Sequence, residues 1–367
     1  MMGLATAAAP DSGLVLVLNA GSSSLKACLL NEGGDRLWQG QRDCPMAEGA
    51  APEPVLDEWL PAALAPWSEA IVLAGHRVVH GGAGFTTPVR LEPTVMAALA
   101  ELVPLAPLHN GPALRVMRWL TEQQPQLEQW ACFDTAFHAT LPPEAATYAI
   151  PAAWRRQGLR RFGFHGLSHQ HVAEVVAARF PQAAAANPLR LISCHLGAGC
   201  SLCAIAAGRS VDTTMGFTPL EGLVMATRSG SVDPGLLLHQ LRRGLSVEEL
   251  DQALNGRSGL LALSELSGSM QELRAAAAAG HEGAQLAIAV FRHRLLREIG
   301  AMAASLGGVD VLAFTGGIGE HDEALRQEVV SALSWLSRFD VIVIAADEEQ
   351  VIARACRRSA AAAAVSR

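Results

Sequence analysis

Residues 15–30 read VLVLNAGSSSLKACLL, in which two apolar runs flank a short polar turn. Each run has the length and composition of a buried β-strand, so the segment predicts a β-hairpin. A similar pattern returns from residue 189, where LRLISCH and CSLCAIA flank the turn LGAG. A duplicated α/β unit would explain this repeat and would place a ligand between two similar domains.

The composition favours a globular chain with large cores. Of the 367 residues, 50% are hydrophobic and 17% are charged, so the chain can bury large cores. Its length suits two domains better than one. The net charge is −7 and the pI is near 5.9, without a block of Lys and Arg, so nucleic-acid binding is disfavoured. The apolar runs fall short of the roughly 18–20 residues of a membrane helix, and the N-terminus does not resemble a signal peptide. We therefore expect a cytoplasmic protein.

The seven cysteines favour reduced, buried thiols over disulfides, because their number is odd and most lie in apolar segments. A zinc site is the alternative for Cys194, Cys200 and Cys203 with His195. This alternative is disfavoured because a second Cys-x-x-Cys pair is missing and the neighbours are Gly and Ala.

The turn NAGSSSLK has the residue types that bind phosphate and metal. Gly21 permits close backbone approach, the hydroxyls of residues 22–24 can donate, and Lys26 adds a positive charge. Asn19 offers an uncharged oxygen that suits a hydrated magnesium ion. The turn is not a P-loop, because GxxxxGK[ST] is absent and a strand follows Lys26. A solvated hairpin is the alternative.

Two strand ends carry candidate catalytic charges. Arg77 lies in the apolar segment GHRVVHGG at residues 75–82, and a buried arginine needs an anion from the protein or from a ligand. A structural salt bridge is the alternative. Asp134 opens DTAFH directly after an apolar strand, where catalytic carboxylates of open α/β sheets often lie. A helix-capping role is the alternative for Asp134.

Two segments that contain histidine are candidate functional segments. RFGFHGLSHQH, at residues 161–171, places His165 ahead of a helix that Ser168 is predicted to cap. His169 and His171 are expected on the helix surface or at its cap. A metal-binding histidine triplet is the alternative, and it is disfavoured because the spacing suits one helical face poorly. PLAPLHNG, at residues 104–111, is predicted to be a rigid loop that ends in His109 and Asn110.

Two further loops favour phosphate chemistry. TRSGSVDPG, at residues 227–235, places Arg228 in a polar, glycine-containing loop. Together with Arg77 it would supply two planar cations, which phosphoryl transfer favours. FTGGIGEH, at residues 314–321, predicts a strand, a glycine turn and a helix, which let a nucleotide approach the backbone closely.

Taken together, these segments resemble the acetate, propionate and butyrate kinase family. The matching motifs are NAGSSSLK, GHRVVHGG, APLHN, FDTAFH, FGFHGLSH, CHLGAG, TRSGSVDPG, TGGIGE and the terminal DEEQVIA. They occur in the expected order between residues 15 and 353, which is nearly the whole chain.

The resemblance implies an α/β fold with two ribonuclease-H-like domains of the actin-like ATPase type, facing an interdomain cleft. Residues 13–136 and 347–367 would form the N-terminal domain, on the substrate and metal side. Residues 137–346 would form the nucleotide-binding and dimerisation domain. A cytoplasmic homodimer is expected to act on acetate and ATP with Mg²⁺ or Mn²⁺, without nucleic-acid or membrane partners.

The resemblance also assigns roles to residues. Arg77 would hold the acetate carboxylate, Asp134 would orient or deprotonate acetate, and His165 and Arg228 would stabilise the transferring phosphoryl group. The substrate site would comprise Arg77, Val79, Leu108, His109, Phe164 and Pro219. Nucleotide contacts would come from Lys26, from His195, Leu196, Gly197, Ala198 and Gly199, from Glu272, Leu273 and Arg274, and from Gly317, Ile318, Gly319, Glu320 and His321. Asn19 and Glu348 would bind the metal.

The implied reaction is reversible in-line transfer of the ATP γ-phosphoryl group to acetate. One alternative acceptor is propionate or another short-chain acid. A non-kinase actin-like ATPase is the alternative from a different class, and the combination of Arg77, Asp134 and Arg228 argues against it.

The chain departs from the family pattern in three places. Ala198 stands in HLGAG where the family has an asparagine, which removes one donor to phosphate. The family segment DMR reads ELR at residues 272–274, and the chain is shorter between residues 44 and 70.

Overall fold

The computed structural model describes residues 13–21, 24–44, 54–181 and 188–365. The chain divides into two compact units, one formed by Met1–Ala136 with Asp347–Arg367 and the other by Phe137–Ala346. Each unit is built on one mixed β-sheet with helices packed against it. Within the described ranges, no helix is both long enough and apolar enough to cross a bilayer.

The strands form one sheet in each unit. The first sheet contains β1 (Leu14–Ala20), β2 (Ser24–Leu30), β3 (Arg36–Asp43), β4 (Ile71–Val78), β5 (Val89–Arg90) and β6 (Glu128–Phe133). The second contains β7 (Arg190–Leu196), β8 (Cys200–Ala206), β9 (Arg209–Thr213), β10 (Val311–Thr315) and β11 (Asp340–Val343).

The α-helices flank these sheets. In chain order they are α1 (Leu60–Leu64), α2 (Pro93–Glu101), α3 (Pro107–Gln123), α4 (Pro143–Ala146), α5 (Ala152–Arg155), α6 (Gly166–Arg179), α7 (Pro234–Arg242), α8 (Val247–Gly256), α9 (Gly259–Ser264), α10 (Met270–Ala278), α11 (Glu282–Leu306), α12 (Gly316–His321), α13 (Glu323–Ala332) and α14 (Glu348–Val365). Short 3₁₀ segments cover Ala65–Trp67, Val103–Leu105 and Ala136–Thr140, and Pro54–Trp59 is π-helical.

The two sheets share one strand order. The first runs β3-β2-β1-β4-β6, with β5 beyond β6, and the second runs β9-β8-β7-β10-β11. Each begins with an antiparallel hairpin, β1–β2 or β7–β8, whose second strand pairs antiparallel with a third. Two parallel strands then follow on the other side of the first hairpin strand. The topology confirms the duplicated α/β unit predicted from the repeated hairpins.

This topology brings distant residues to one edge of each sheet. In the first sheet Leu18 of β1 pairs with His76 of β4, and Arg77 of β4 pairs with Cys132 of β6. Because the three strands are parallel, Asn19, Arg77 and Asp134 lie at neighbouring carboxyl ends. In the second sheet the parallel pair β7–β10 sets His195 beside Thr315, directly before the glycine turn.

The C-terminal helix α14 completes the first unit by packing on β1, β4 and β6. Gly75 permits this contact, since a Cβ there would overlap Ile352 and the Cys356 thiol. Cys356 Sγ lies 4.0 Å from Cys132 Sγ. All seven cysteines are buried free thiols, which confirms the prediction of reduced, buried cysteines.

Several predicted elements differ from those observed. The sequence predicts two short strands, at residues 70–73 and 77–80, whereas the structure has the single strand β4 there. The loop predicted for PLAPLHNG is wrong, because α3 already begins at Pro107 and contains Pro112. Buried Asn110 anchors this early turn, since its side chain donates to His80 O at 2.9 Å and accepts from His80 N at 3.1 Å.

Candidate active site

In the first unit, Arg77 and Asp134 form a buried bidentate ion pair. Arg77 Nε donates to Asp134 Oδ1 at 3.1 Å and Nη2 donates to Oδ2 at 2.7 Å. The Asp134 side chain is 1% exposed and that of Arg77 is 19% exposed. Asp134 therefore has a charged partner and is not a helix cap, and the anion that Arg77 requires is here supplied by the protein.

Further carboxylates surround this pair. Burial acts to lower the pKa of Arg77, but Asp134, Glu348 and Glu349 together raise it above its ordinary value. Glu348, the first residue of α14, therefore lies near Arg77. Asp134 accepts from two of the five guanidinium N–H groups of Arg77, and the others remain for a bound carboxylate.

The oxygen atoms at this sheet edge fit a hydrated magnesium ion. Asn19 is the next-to-last residue of β1 and follows Leu18, which pairs with His76 of β4, and Glu348 contributes a carboxylate near Arg77. Among the described residues, no group of three or more His, Cys, Asp or Glu is placed to hold a metal. A metal bound here would therefore keep most of its waters or take phosphate oxygens, as Mg²⁺ commonly does.

The other predicted residues of this unit vary in placement. Val79 follows β4 and is half-buried, and so is His109 on α3. Lys26 is exposed on β2, directly opposite Asn19 in the hairpin register. The side chain of Leu108 and the two serines at positions 22 and 23 lie outside the described residues.

In the second unit, His165 occupies an unusual backbone conformation at the start of α6. Its φ is 55°, in the left-handed region that non-glycine residues rarely adopt. Its Nδ1 lies 2.9 Å from Ser201 Oγ, and its ring centroid is 4.2 Å from that of His195. Such local strain persists where surrounding contacts fix a residue, and it is common at functional sites.

Arg228 lies beside His165 at the LGAG turn. A methyl group on residue 199 would lie 3.1 Å from His165 Nε2 and 3.5 Å from Arg228 Nη2, so the glycine keeps this space open. Arg228 Nη1 donates to Pro219 O at 2.8 Å. The predicted residues His165, Arg228, Gly199 and Pro219 therefore come together in this unit, with buried Phe164 directly preceding His165.

A polar network that was not predicted holds the loop that carries Pro219. Arg161 Nη1 donates to the carbonyls of residues 213–215, and Nη2 donates to Glu221 Oε1 at 2.7 Å. Tyr148, the single tyrosine of the sequence, donates to Glu221 Oε2 at 2.5 Å and accepts from Phe217 N. The partners are 60 and 73 residues apart in sequence, so spacing could not reveal them.

A cavity of about 700 Å³ opens at the glycine turns of the second unit. It is lined by Gly197, Ala198, Ala226, Gly268, Ser269, Met270, Gln271, Arg274, Gly317, Ile318, His321 and Asp322. Its size suits a nucleotide. Gly316 makes the turn possible, because its φ is 77° and a Cβ would overlap the Leu196 carbonyl.

Some residues predicted to contact the nucleotide lie away from this cavity. Leu273 is fully buried and Glu272 is exposed, whereas Gln271 and Arg274 of the same helix α10 line the cavity. Glu320 Oε1 accepts from the backbone N–H groups of Gly316 and Ala346, which gives it a structural role in the turn.

The predictions for Ser168 and His169 are wrong. The helix begins at Gly166, and Ser168 Oγ is bonded to His195 Nδ1 at 2.8 Å instead of capping the helix. His169 is fully buried between Ser193 and Ser201, not on the helix surface. Both side chains face β7 and β8, because α6 packs on that hairpin.

A model of the acetokinase family matches residues 46–359. The chain belongs to the acetokinase family. The acetate kinase of Synechococcus sp. (strain JA-2-3B'a(2-13)) is 43% identical over 397 residues, covering 94% of this chain and 98% of that protein.

Solved structures of family members share the fold. The crystal structure of Porphyromonas gingivalis acetate kinase gives a TM-score of 0.86 at 34% identity, covering 95% of this chain and 99% of that chain. The crystal structure of a propionate kinase from Francisella tularensis subsp. tularensis SCHU S4 gives a TM-score of 0.86 at 34% identity, covering 94% of this chain and 99% of that chain. This acetokinase family member therefore has the actin-like ATPase fold, as predicted.

Proposed function

We propose that this protein is an acetate kinase, which reversibly transfers the γ-phosphoryl group of ATP to acetate and yields acetyl phosphate and ADP. Membership of the acetokinase family over most of the chain carries the proposal. The two residue clusters support it, since one offers an arginine with spare donors for a carboxylate and the other sets a histidine and an arginine beside a nucleotide-sized cavity.

The substrate cluster would position acetate. A carboxylate is ionised at neutral pH and is already a nucleophile, so the reaction needs orientation and charge neutralisation more than base catalysis. We propose that Arg77 binds the acetate carboxylate through N–H groups that Asp134 leaves unused, while Asp134 fixes the guanidinium plane. The methyl group would lie in an apolar pocket formed by Val79, Leu108, Phe164 and Pro219, and His109 would belong to the same substrate site.

The phosphoryl cluster would stabilise the transition state. One acetate oxygen forms a bond to the γ-phosphorus as the bond from that phosphorus to the bridging oxygen breaks, and ADP leaves with the electron pair. Arg228 and His165 would donate to the equatorial phosphoryl oxygens. Asn19 and Glu348 would hold Mg²⁺ or Mn²⁺, which when bound neutralises phosphate charge. The turns at residues 195–199 and 317–321 would hold the nucleotide.

A hydroxamate assay for acyl phosphate tests the function directly. We expect product with acetate and ATP, loss of product on chelation, and recovery with Mg²⁺. Propionate is the competing acceptor, because a propionate kinase matches this fold as closely as an acetate kinase does. One methylene is worth only about 1–3 kcal/mol, so we expect graded rates through acetate, propionate and butyrate. ATP hydrolysis without acyl phosphate from any acid would favour the non-kinase ATPase alternative.

The variant Ala198→Asn tests the departure in the HLGAG turn. Ala198 is exposed and lines the cavity. Restoring an amide donor to phosphate should add about 1.5–3 kcal/mol of binding, which lowers the KM for ATP about ten- to hundredfold. Ala198→Val adds volume without a donor and should not lower it. An unchanged KM in both variants would show that residue 198 does not contact phosphate, and other nucleoside triphosphates should then be compared as donors.

We also propose a cytoplasmic homodimer. The free thiols support a reducing compartment. In the second unit, Leu238 and Leu241 are exposed one turn apart on α7, and a second copy of the chain would cover this apolar face.

A further inference from the structure

Behind His165 lies a buried chain of imidazoles and hydroxyls. Ser201 Oγ lies 2.9 Å from His165 Nδ1 and 2.8 Å from His169 Nε2. His169 Nδ1 lies 2.8 Å from Ser193 Oγ. Ser193, Ser201 and His169 are all fully buried. The four groups therefore form one continuous hydrogen-bonded chain that ends at the candidate catalytic histidine.

The alternation of side chains along β7 and the helical repeat of α6 bring the groups of this hydrogen-bonded chain together. Ser193 and His195 face the same side of β7, because strand side chains alternate, and the register sets Ser201 of β8 opposite His195. Residues 165 and 169 are one helical turn apart, so both face this hairpin where α6 packs on it.

The number of available protons limits the directions that the hydrogen bonds between these four side chains can take. His169 is neutral, since burial first, and then the neighbouring His138 and His195, hold its pKa well below the ordinary value. A neutral imidazole has one N–H, and a serine hydroxyl has one hydrogen. Among the described residues, the Ser201 hydroxyl is hydrogen-bonded to these two histidines, so its buried hydrogen has an acceptor only when Ser201 donates to one of them and accepts from the other.

Two arrangements satisfy these counts. In the first, His165 Nδ1–H donates to Ser201, Ser201 donates to His169 Nε2, and His169 Nδ1–H donates to Ser193. In the second, every bond is reversed, so Ser201 points its hydrogen at His165 Nδ1. The first leaves Nε2 of His165 as the nitrogen that gains a proton, and this atom faces the open space at Gly199 beside Arg228. In the second, an imidazolium can form only after the buried protons rearrange.

We propose that Ser201 and His169 are positioning residues that hold His165 with Nδ1 donating to Ser201, so that Nε2 takes up a proton and presents it to the phosphoryl group. The inference rests on the proposed function, in which His165 stabilises phosphoryl charge. A histidine that becomes cationic without disturbing its buried partners suits a site where negative charge develops.

Titratable groups of the described residues surround this hydrogen-bonded chain. Arg228 and His195 face His165, and His138 and His195 face His169. His138 donates from Nε2 to the Phe164 carbonyl and has a pKa lowered to about 4, chiefly by burial. Its Nδ1 therefore accepts from Ser210, which gives a second buried His–Ser bond outside the chain.

Ring ¹⁵N NMR of the substrate-free protein tests the arrangement without relying on activity. We expect His169 to remain neutral with its proton on Nδ1 between about pH 5 and 8, including where His165 is protonated. A His169 proton on Nε2, or a charged His169, would overturn the proposal. If the protein made no acyl phosphate, the proposed function would fail, while this measurement would still decide the direction of the hydrogen bonds.

Kinetics test the positioning role. In Ser201→Ala, His165 loses its Nδ1 acceptor, so kcat should fall about ten- to hundredfold, as for a lost charge-assisted bond, with both KM values unchanged. Ser201→Thr keeps the hydroxyl and should recover most of the rate. Ser210→Ala removes the matched bond to His138 and should leave kcat near native. An equal loss in Ser201→Ala and Ser210→Ala would indicate a structural role and contradict the proposal.

Discussion

Replacing Arg228 with alanine should lower kcat by about 10³–10⁵-fold, the range seen when an arginine that stabilises phosphoryl charge is removed. In the folded chain Arg228 is half-buried beside His165 Nε2 and donates to the Pro219 carbonyl. Its charge cannot be replaced by His165, because the transition state spreads negative charge over several oxygens. Hydroxamate kinetics at saturating acetate and ATP would measure the loss.

The fold should survive this substitution. The bond from the charged Arg228 to the Pro219 carbonyl is worth about 1.5–3 kcal/mol, which is too little to unfold a domain, so the circular dichroism spectrum should stay native. Arg179→Ala, at the exposed end of α6, makes the same chemical change outside the cluster and should leave turnover unaltered. Arg228→Lys keeps the charge but loses the planar donor pair, so it should retain only part of the activity. Near-native turnover in Arg228→Ala would remove this residue from the mechanism.

The duplicated fold could be predicted from sequence because its signals are local. Each apolar hairpin can be recognised within about 17 residues, from the lengths of its two strands and the small residues of its turn. Predictions failed where distant contacts decide the outcome. Proline rules place Pro112 in the first turn of a helix. The bonds between Asn110 and the His80 backbone instead stabilise an earlier helical turn, so Pro112 lies inside α3.

The candidate site likewise contains residues that the sequence could reveal and residues that it could not. The residue types at strand ends, such as Arg77 and Asp134, were evident because motif and position agree. The buried state of His169 was not evident, because its partners Ser193 and Ser201 lie 24 and 32 residues away. Polar residues recurring at positions 165, 168 and 169, ahead of an apolar stripe, were the available signal that one face of α6 carries a polar network.

Replacing Asp134 with alanine should both inactivate the protein and destabilise it. The substitution leaves Arg77 buried without its bidentate partner, and breaking a buried pair from one side typically costs about 3–5 kcal/mol. We expect the lower end, about 3 kcal/mol, because Glu348 and Glu349 still face the guanidinium. Urea denaturation would measure the stability and the hydroxamate assay the turnover. Substantial remaining turnover would reduce Asp134 to a structural partner of Arg77.

A double variant separates these two consequences. Arg77→Met combined with Asp134→Leu removes both charges, so no unpaired ion stays buried and most of the lost stability should return. Activity should not return, because the donors for the acetate carboxylate are gone. Arg90→Ala, which breaks the half-exposed pair with Glu128 in the same sheet, should cost only about 0–1 kcal/mol. If the double variant is as unstable as Asp134→Ala, packing and not the unpaired charge causes most of the stability loss. If it is stable but inactive, the buried pair is required for catalysis.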